Sequence, residues 1–273
     1  MYFFRTDIGR LGNQMFIYAF ANAISTQRKT NYCLSEIGRL NIFQLGVGEE
    51  RFFNRLKNNL YHRWIIKTNN VPIIDNAEVF KFFDPSIIPN CHAYLIGHFQ
   101  SHIYFNEIEN KIRKRFKFKN EIRAGFLKFK KRNNIPDNYT AVHIRRTDYI
   151  NHKINGLNDD NTLALPVEYY LKAIAELDLK NNFLVFVTDD PEFVEQEFKF
   201  LPNKLISSSV DYIDFQLIQN AKTCIIANST FSWWAAWLNK QAKVYCPRYF
   251  LGFNDKIEVP QNIYPPYWAQ IEF

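Results

Sequence analysis

Two adjacent arginines, Arg145 and Arg146, follow a short apolar run in the stretch "TAVHIRRTDY" at residues 140–149. The run is rich in apolar and β-branched residues and predicts a strand, so the arginines lie where that strand ends. In open α/β sheets, ligands bind outside the carboxyl ends of the strands. A guanidinium group keeps its charge when it is partly desolvated, and it matches phosphate oxygens in a bidentate fork. The stretch therefore predicts an anion site, and the alternative is a surface loop with a salt bridge.

A second polar junction, "NSTFS" at residues 228–232, precedes a predicted helix. It offers the hydroxyls of Ser229, Thr230 and Ser232. The backbone N–H groups at a helix start have no partner inside the helix, and the helix dipole favours a negative charge there. Together with Arg145, this junction predicts a site for a diphosphate. The alternative is that Ser229 or Thr230 is a plain N-cap.

Two ionisable residues stand in apolar surroundings in the same half of the chain. His143 lies on the predicted strand just before Arg145, and Asp214 lies in the first turns of the predicted helix "DYIDFQLIQNA". The Asp214 carboxylate suits the positive end of the helix dipole, and it equally suits the hydrogen-bond donors on a purine edge. His143 is either a core residue with satisfied hydrogen bonds or a ligand-binding residue.

The turn "GRLGNQ", which begins at Gly9, follows the first predicted strand. Gly9 and Gly12 allow a tight turn and a close approach of the backbone to a ligand. The spacing is not G-x-G-x-x-G, so the ordinary dinucleotide fingerprint is not met. The turn carries polar side chains instead, which are Arg10, Asn13 and Gln14.

The elements that position these residues alternate between strand and helix. The chain opens with the strand "MYFFRTD", a helix in "MFIYAFANAISTQRK" and the strand "TNYCLS", which together start a βαβ unit. From "YTAVHIRR" to "AKVYCP", strands and helices alternate over short connections, which predicts a doubly wound parallel sheet. The tryptophans of the helix "STFSWWAAWLNK" are predicted to be core. The break "NIPDN" predicts a lobe boundary, with one lobe over residues 1–137 and the other over residues 138–273.

The composition is that of a folded protein. Of the 273 residues, 47% are hydrophobic and 17% are aromatic, which is enough for real cores and excludes a disordered chain. No apolar run approaches the roughly 20 residues of a membrane span. The first residues lack the pattern of a signal peptide, so we predict a cytoplasmic protein. The four cysteines are widely separated without a C-x-x-C pair, and we predict buried free thiols.

The formal net charge of +7 is concentrated in residues 111–132, the basic segment, which contains eleven Lys or Arg residues and one acid, Glu121. This segment is rich in Phe and helical in pattern. One interpretation is a peripheral contact with an anionic glycolipid or with the anionic inner face of a membrane, and the other is a solvated helix face. No nucleic-acid-binding motif accompanies the charge, so we predict no nucleic-acid partner.

Two aspartate pairs are adjacent residues without the Asp-x-Asp spacing of a metal site, namely "TDDP" at residues 188–191 and "NDDN" at residues 158–161. We therefore predict no metal. Arg145 and the helix start would then stabilise the negative charge that develops on a departing diphosphate. Asp148, close to the arginines, is either a general base or a residue that orients them.

Four motifs, "GRLGNQMFIYAFANAIS", "GHFQS", "HIRRTDY" and "NSTFSWWAAWL", in this order make the chain resemble the α-1,2-fucosyltransferases of glycosyltransferase family 11. The resemblance runs over nearly the whole chain. It implies an α/β fold of two Rossmann-like lobes in the GT-B arrangement. The donor site would lie in the cleft on the C-terminal lobe, and the N-terminal lobe would lie on the acceptor side. It also implies inverting, metal-independent transfer of L-fucose from GDP-β-L-fucose to the 2-hydroxyl of a terminal galactose in a glycan, with no cofactor besides this donor.

The same resemblance assigns roles residue by residue. It implies that Arg145 holds the donor diphosphate, that His143 and Asp214 lie near guanine, and that Asn13 and Arg10 lie at the reaction centre. The implied catalytic residues are Arg145, Asn13 and Arg10. The implied donor-binding residues are Gly12, His143, Arg146, Asp214, Ser229, Thr230 and Ser232.

The chain departs from the usual pattern of the family at Arg10, Ile17 and Thr147, where many members have glycine, glutamine and glycine. These departures concern acceptor choice and loop geometry more than the class of reaction. Two alternatives stay open. One is another GDP-sugar transferase or a protein O-fucosyltransferase, which shares the arginine motif. The other is a non-catalytic protein that binds a glycan or a nucleotide.

Overall fold

The structure is a computed structural model, and it describes residues 1–35, 38–45, 60, 71–76, 82–154, 157, 162–178 and 182–273. The chain forms two compact units. Unit 1 consists of Met1–Lys119 and Pro260–Tyr264, and unit 2 consists of Asn120–Val259 and Pro265–Phe273. The aspartate pair in "NDDN" lies outside the described residues.

Unit 1 contains a four-stranded parallel sheet in the order β2-β1-β4-β3. Its strands are β1 Tyr2–Phe4, β2 Tyr32–Leu34, β3 Ile73–Asn76 and β4 Ala93–Gly97. The α-helices of unit 1 with both ends in the described residues are α1 Leu11–Gln27 and α2 Glu109–Arg115. Short 3-10 helices cover Gly38–Ile42, Pro85–Ile87 and His102–Ile108. The opening βαβ unit is confirmed, and β3 is an additional strand in a stretch without clear periodicity.

Helix α1 is buried on every side, which explains the length of its apolar run. Six consecutive residues are at most 1% exposed, namely Met15, Phe16, Ile17, Tyr18, Ala19 and Phe20. A helix that is apolar all round is a core helix. It begins at Leu11, four residues before the predicted start at Met15, so the last residues of "GRLGNQ" belong to its first turn.

Unit 2 contains a six-stranded parallel sheet in the order β10-β9-β8-β5-β6-β7. Its strands are β5 Thr140–Ile144, β6 Leu184–Thr188, β7 Lys204–Ser207, β8 Thr223–Ile225, β9 Lys243–Pro247 and β10 Ala269–Ile271. In the described part of unit 2, the helices are α3 Asn120–Arg132, α4 Val167–Ala175, α5 Pro191–Glu197, α6 Asp211–Gln219 and α7 Thr230–Leu238. The predicted alternation is confirmed, and β10 adds one edge strand. Every residue of β5 and β6 is buried, as expected for a parallel sheet covered on both faces.

The strand order reverses between β5 and β8, which are neighbours in the sheet. Such a reversal opens a crevice at the carboxyl ends of the two strands, where doubly wound sheets bind ligands. The register pairs Val142 with Ile225. Arg145 and Asn228 each come three residues after these partners, so the arginines and the "NSTFS" junction leave the sheet side by side.

Unit 2 begins earlier than the predicted lobe boundary, because α3 packs against α6. Phe126 on α3 is buried, and the Gln216 amide on α6 reaches the carbonyl of Ile122 at 3.5 Å. The division of the chain therefore falls between Lys119 and Asn120 rather than after residue 137. As a consequence, the basic segment is split between α2 of unit 1 and α3 of unit 2.

The predicted core residues behave largely as expected. Trp233, Trp234 and Trp237 are at most 2% exposed, which confirms their core position. Three of the four free cysteines are buried, whereas Cys91 is exposed, because it lies in the loop before β4 rather than on a strand. In the described part of the chain, no helix has the length and apolar character to cross a bilayer.

Candidate active site

Arg145 is the first residue after β5, and two carboxylates hold its guanidinium group. Its Nη2 lies 2.7 Å from Oδ1 of Asp148, and its Nη1 lies 3.1 Å from Oδ2 of Asp189. The side chain is 18% exposed. Charge-assisted hydrogen bonds of this kind fix both the position and the plane of a guanidinium group. Asp148 therefore orients Arg145, as one of its two predicted roles requires.

Asp189, the first residue after β6, organises the arginine loop, which comprises Arg145 to Asp148. Its carboxylate accepts hydrogen bonds from the backbone N–H groups of Arg146 at 2.9 Å and Thr147 at 3.3 Å, and from the Thr147 hydroxyl at 2.5 Å. The sequence places Asp189 in a polar junction after a strand but assigns it no contact with the arginines. It lies beside them because β5 and β6 pair in parallel, so that their carboxyl ends adjoin.

Arg146 points to α5 rather than to the partners of Arg145. Its Nε lies 3.3 Å from Oδ2 of Asp190, and its guanidinium group lies 3.7 Å from the centre of the Phe193 ring. Asp190 also caps α5 by accepting a hydrogen bond from the Phe193 N–H at 3.1 Å. The position of Arg146 does not support its predicted donor-binding role, because its guanidinium group is engaged by Asp190 and by the Phe193 ring.

Helix α7 begins beside the arginine loop. The Tyr149 hydroxyl donates to the carbonyl of Asn228 at 3.3 Å, and the Arg145 guanidinium lies 5.8 Å from the Tyr149 ring centre. Ser229 is the N-cap residue, but its side chain makes no capping hydrogen bond. The plain N-cap alternative is therefore not observed for Ser229. Thr230 is the first residue of the helix and is half-buried, so its hydroxyl lies at the end where the helix dipole favours an anion.

Ser232 is a correction to the predicted set of phosphate-facing hydroxyls. It is 0% exposed, and its hydroxyl lies 3.2 Å from the carbonyl of Ser229 and 3.4 Å from the carbonyl of Ala227. A serine inside a helix commonly bonds back to a carbonyl of the preceding turn. Ser232 therefore supports the first turn of α7 from inside instead of facing a ligand.

The structure brings His143 close to the start of α7. His143 is 5% exposed, and burial lowers its pKa to about 4, so the imidazole is neutral at neutral pH. Its ring centre lies 5.8 Å from that of Phe231, and Phe231 meets Phe215 edge-on at 5.3 Å. Phe231 is half-buried and lies in the first turn of α7. The motif "NSTFS" contains this phenylalanine, but the sequence alone gives it no role.

Asp214 lies in the first turn of α6, next to Phe215, and is 7% exposed. Its Oδ1 accepts a hydrogen bond from the Ser207 hydroxyl at 2.6 Å, and its Oδ2 accepts one from the Ser209 N–H at 2.9 Å. Burial raises the pKa of Asp214 to about 6, against the opposing effect of these two hydrogen bonds. Each carboxylate oxygen has a second lone pair, so the group retains the capacity to accept from a ligand.

Unit 1 contains the opening turn, which comprises Gly9 to Gln14. Gly9 has φ +83°, and a Cβ there would lie 2.3 Å from the Asn13 amide nitrogen. Only glycine fits this position. Gly12 lies inside α1 and is buried, so of the two glycines predicted to allow the tight turn, Gly9 is the one whose backbone conformation requires glycine. Arg10 is the exposed N-cap residue of α1.

Asn13 is held by a residue far away in the sequence. The Gln100 amide donates to the Asn13 side-chain oxygen at 2.9 Å. Gln100 belongs to the β4 loop, His98 to Ser101, which follows β4 as the opening turn follows β1. Because β1 and β4 are adjacent parallel strands, both segments leave the same edge of the sheet. Of the described residues, none form a group of three or more His, Cys, Asp or Glu side chains suited to a metal ion.

Comparison with known proteins places this chain in a family. The model described as glycosyl transferase family 11 matches residues 3–272. An Escherichia coli protein named O-antigen biosynthesis glycosyltransferase WbnK is 36% identical over 46% of this chain, but the match spans only 43% of that relative's length. An Escherichia coli α-1,2-colitosyltransferase is 29% identical over 84% of this chain and 85% of its own length. A Caenorhabditis elegans galactoside 2-α-L-fucosyltransferase is 26% identical over 64% of this chain and 51% of its own length.

Solved structures share the fold at low sequence identity. The α-1,6-fucosyltransferase NodZ soaked with GDP-fucose has a TM-score of 0.52 at 16% identity, covering 86% of this chain and 92% of that one. POFUT1 in complex with GDP has a TM-score of 0.54 at 13% identity, covering 88% of this chain and 95% of that one. At this identity the likeness establishes a common α/β fold with parallel sheets. The match of the family model over residues 3–272, by contrast, is specific, and this chain belongs to glycosyl transferase family 11.

Proposed function

We propose that this protein transfers L-fucose from GDP-β-L-fucose to the 2-hydroxyl of a terminal galactose, with inversion and without a metal ion. The observation that carries the proposal is Arg145, fixed by Asp148 and Asp189 beside the start of α7 in a chain of glycosyl transferase family 11. Relatives named for α-1,2-colitosyl transfer and for galactoside 2-α-L-fucosyl transfer support the linkage. Structural neighbours that contain GDP or GDP-fucose support the donor.

Arg145 and α7 would supply the electrostatic part of catalysis. Cleavage of the bond between fucose C1 and the β-phosphate oxygen leaves the electron pair on the phosphate. The guanidinium group and the N-terminus of α7 stabilise this charge as it develops, and neither has to reorganise during the reaction. A guanidinium held in one plane by two carboxylates can exchange one of them for a phosphate oxygen while the other still orients it.

The guanine base of the donor would bind beside His143, Phe231 and Asp214 of unit 2. The half-buried ring of Phe231 offers a stacking surface, and Asp214 accepts hydrogen bonds from the N1–H and exocyclic amine of guanine. The acceptor 2-hydroxyl attacks C1 from the face opposite the leaving phosphate, so the β-linked donor gives an α-linked product. GDP departs with the electron pair of the broken bond, and the proton of the hydroxyl is released to solvent water. Asn13 and Arg10 of the opening turn would contribute hydrogen bonds at the reaction centre.

The donor sugar has one specific rival. Because a relative that aligns over most of this chain is named for colitose, a nucleotide-linked colitose is the second candidate donor. Colitose is the 3-deoxy counterpart of L-fucose, so the two donors differ by one hydroxyl. A site that hydrogen-bonds this hydroxyl rejects the deoxy donor strongly, whereas a site without a partner for it accepts both.

The test is incubation with GDP-fucose or GDP-colitose and a panel of galactose-terminated glycans, followed by linkage analysis of the products, with and without EDTA. We expect an α-1,2-fucosylated galactoside at the same rate in EDTA. Loss of turnover in EDTA that Mg²⁺ or Mn²⁺ restores would refute the metal-free mechanism. Transfer to serine or threonine peptides instead of galactosides would favour a protein O-fucosyltransferase, and GDP binding without turnover would favour a non-catalytic protein.

A further inference from the structure

The β4 loop adopts a backbone conformation that its sequence does not favour. Phe99 has φ +50° although it is not glycine, and Gly97 before it has φ +154°. A left-handed conformation costs a residue with a Cβ about 1–2 kcal/mol. Such strained positions persist only where the surroundings determine them completely, and they concentrate at functional sites.

An aromatic cluster holds the β4 loop in this conformation. The Phe99 ring is 2% exposed and stacks on Phe20 of α1 at 4.2 Å with an interplanar angle of 10°. Phe4 and Phe83 meet the same ring edge-on at 6.2 and 5.3 Å. At the end of the loop, the Ser101 hydroxyl donates to the carbonyl of Asn262 at 2.7 Å. The loop is therefore a rigid platform, and the residues on either side of Phe99 are fixed in place.

These two flanking residues, His98 and Gln100, are half-buried and have polar atoms without partners. Among the described residues, neither Nδ1 of His98 nor Oε1 of Gln100 has a hydrogen-bond partner, although both atoms are buried. In the opening turn, Oε1 of Gln14 is likewise buried without a hydrogen-bond partner among the described residues, and Gln14 is 2% exposed. A buried polar atom without a hydrogen bond costs about 1–3 kcal/mol. Three such atoms on two segments that meet at the contact between Gln100 and Asn13 indicate a ligand that satisfies them.

We propose that Gln100 and His98 of the β4 loop, together with Gln14 of the opening turn, bind the hydroxyls of the acceptor's terminal sugar and so determine acceptor choice. The proposal rests on the proposed transfer to a galactoside and adds residues of unit 1 that recognise it. The ligand is a neutral polyol and not a phosphate, because amide oxygens and an uncharged imidazole accept hydrogen bonds from O–H groups. Burial lowers the pKa of His98, so its ring offers one acceptor nitrogen at neutral pH.

The experiment compares Gln100→Ala and His98→Phe with the wild type in steady-state kinetics, varying lactose and GDP-fucose separately. The matched control is Gln44→Ala, since the exposed Gln44 of unit 1 donates to the carbonyl of Phe118 at 3.0 Å, away from the β4 loop in sequence. We expect each β4-loop variant to raise the KM for lactose about tenfold, the usual effect of one lost hydrogen bond to a substrate. The KM for GDP-fucose, the affinity for GDP and the thermal midpoint should stay unchanged, and the control should match the wild type throughout.

A KM for lactose that stays at the wild-type value in both variants overturns the inference. A rise in the KM for GDP-fucose equal to the rise in the KM for lactose also overturns it, because the β4 loop would then belong to the donor site. If the wild-type protein transfers no fucose, the proposed function is refuted instead of the inference about the β4 loop. Saturation-transfer NMR with lactose and GDP needs no turnover, so it tests the acceptor site even then. A lactose signal that is lost in Gln100→Ala supports the inference, and a signal that both variants retain refutes it. If Gln100→Ala fails to fold, His98→Phe and Gln100→Glu give the same two readouts.

Discussion

The arginine loop of unit 2 and the opening turn of unit 1 occupy equivalent places, each at the carboxyl edge of a parallel sheet next to a helix start. They differ in charge and in how far their hydrogen bonds are satisfied. Arg145 has two carboxylate partners, and Asp189 also accepts from the loop backbone. The opening turn and the adjacent β4 loop have neutral amides, and two of those, Gln14 and Gln100, keep a buried oxygen without a partner in the described part of unit 1.

This difference shows how the same α/β scaffold supports two kinds of recognition. The guanidinium group of Arg145 is already held by two carboxylates. An anionic ligand such as a diphosphate can replace one of these carboxylates while the other keeps the guanidinium group in place. Neutral groups with unused hydrogen-bonding capacity are suited to hydroxyls, which both donate and accept. The comparison therefore predicts large electrostatic effects for changes in unit 2 and smaller, acceptor-specific effects for changes in unit 1.

The largest expected effect is that of Arg145→Lys. Lysine keeps the charge but cannot form a bidentate fork with phosphate oxygens or with the two carboxylates. Loss of one such contact in a preorganised site costs on the order of 3 kcal/mol, which is about a hundredfold in turnover. Steady-state kinetics and a thermal melt would show the loss of turnover with the fold retained. The control is Arg248→Lys, which affects an exposed ion pair with Glu272. Turnover of Arg145→Lys near the wild-type rate would contradict the assignment of the anion site.

Asp214→Asn should weaken binding of GDP much more than binding of pyrophosphate. An amide presents a donor where guanine needs an acceptor, and a buried mismatch of this kind costs about 1–3 kcal/mol. Calorimetry with both ligands measures the difference. Equal losses for the two ligands would mean that Asp214 only links Ser207 and Ser209 to α6, and that guanine is recognised elsewhere.

Asp214 also predicts a pH dependence. Burial raises its pKa in the folded protein to about 6, above the ordinary value of 3.8. The ionised carboxylate therefore destabilises the fold relative to the neutral acid; this penalty is absent below pH 3.8 and is complete above about pH 6. The stability of the wild type relative to Asp214→Asn should fall as the pH rises through this window, as measured by urea denaturation. Guanine binding needs the ionised form, so the preference for GDP over pyrophosphate should decrease below about pH 6.

Two glycine variants compare the opening turn with an open helix surface. Gly9→Ala introduces a Cβ at φ +83° that lies 2.3 Å from the Asn13 amide, and we expect a loss of about 1–2 kcal/mol of stability together with a higher KM for the acceptor. Gly125→Ala on α3 meets nothing within 4 Å and should stabilise the protein by about 0.5–1 kcal/mol. Denaturation midpoints of both variants test the pair. Equal midpoints would mean that the opening turn adapts its backbone without cost.

The smallest effect concerns the basic segment. On α3, Lys128 and Lys131 are exposed beside Leu127, which is 52% exposed. A charge near an anionic membrane surface contributes about 1 kcal/mol, and salt screens it. The variant Lys128→Glu with Lys131→Glu should slow transfer to a lipid-linked acceptor on anionic vesicles at low salt and leave transfer to lactose unchanged. An identical salt response for the two acceptors would identify α3 as a solvated helix face.

Much of the fold could be predicted because it depends on local patterns. Strand and helix alternate visibly from residue 139 onwards, and β5 and β6 are continuous apolar runs because both faces of a parallel sheet are buried. The strands β3 and β10 were not predicted, since β3 lies in a stretch without clear periodicity and β10 is an edge strand whose residues are half-buried or exposed. The early start of α1 escaped prediction because the glycine at position 12 is a weak helix former, and only burial of the whole helix compensates for it.

The features of the candidate site likewise fall into those that local sequence patterns predict and those that depend on the folded chain. The family-specific motifs, the guanidinium group after β5 and the hydroxyl-rich start of α7 can be recognised from the sequence, because each is a short run of neighbouring residues. Which of these groups act together depends on the folded chain. Strand order brings Asp189 to Arg145. Packing of the helices directs Arg146 to Phe193 instead and buries Ser232. Strand order also joins Asn13 to Gln100 across 87 positions of sequence. A local pattern fixes the kind of element and the chemistry at its end, whereas the neighbours of that end depend on how distant strands pair.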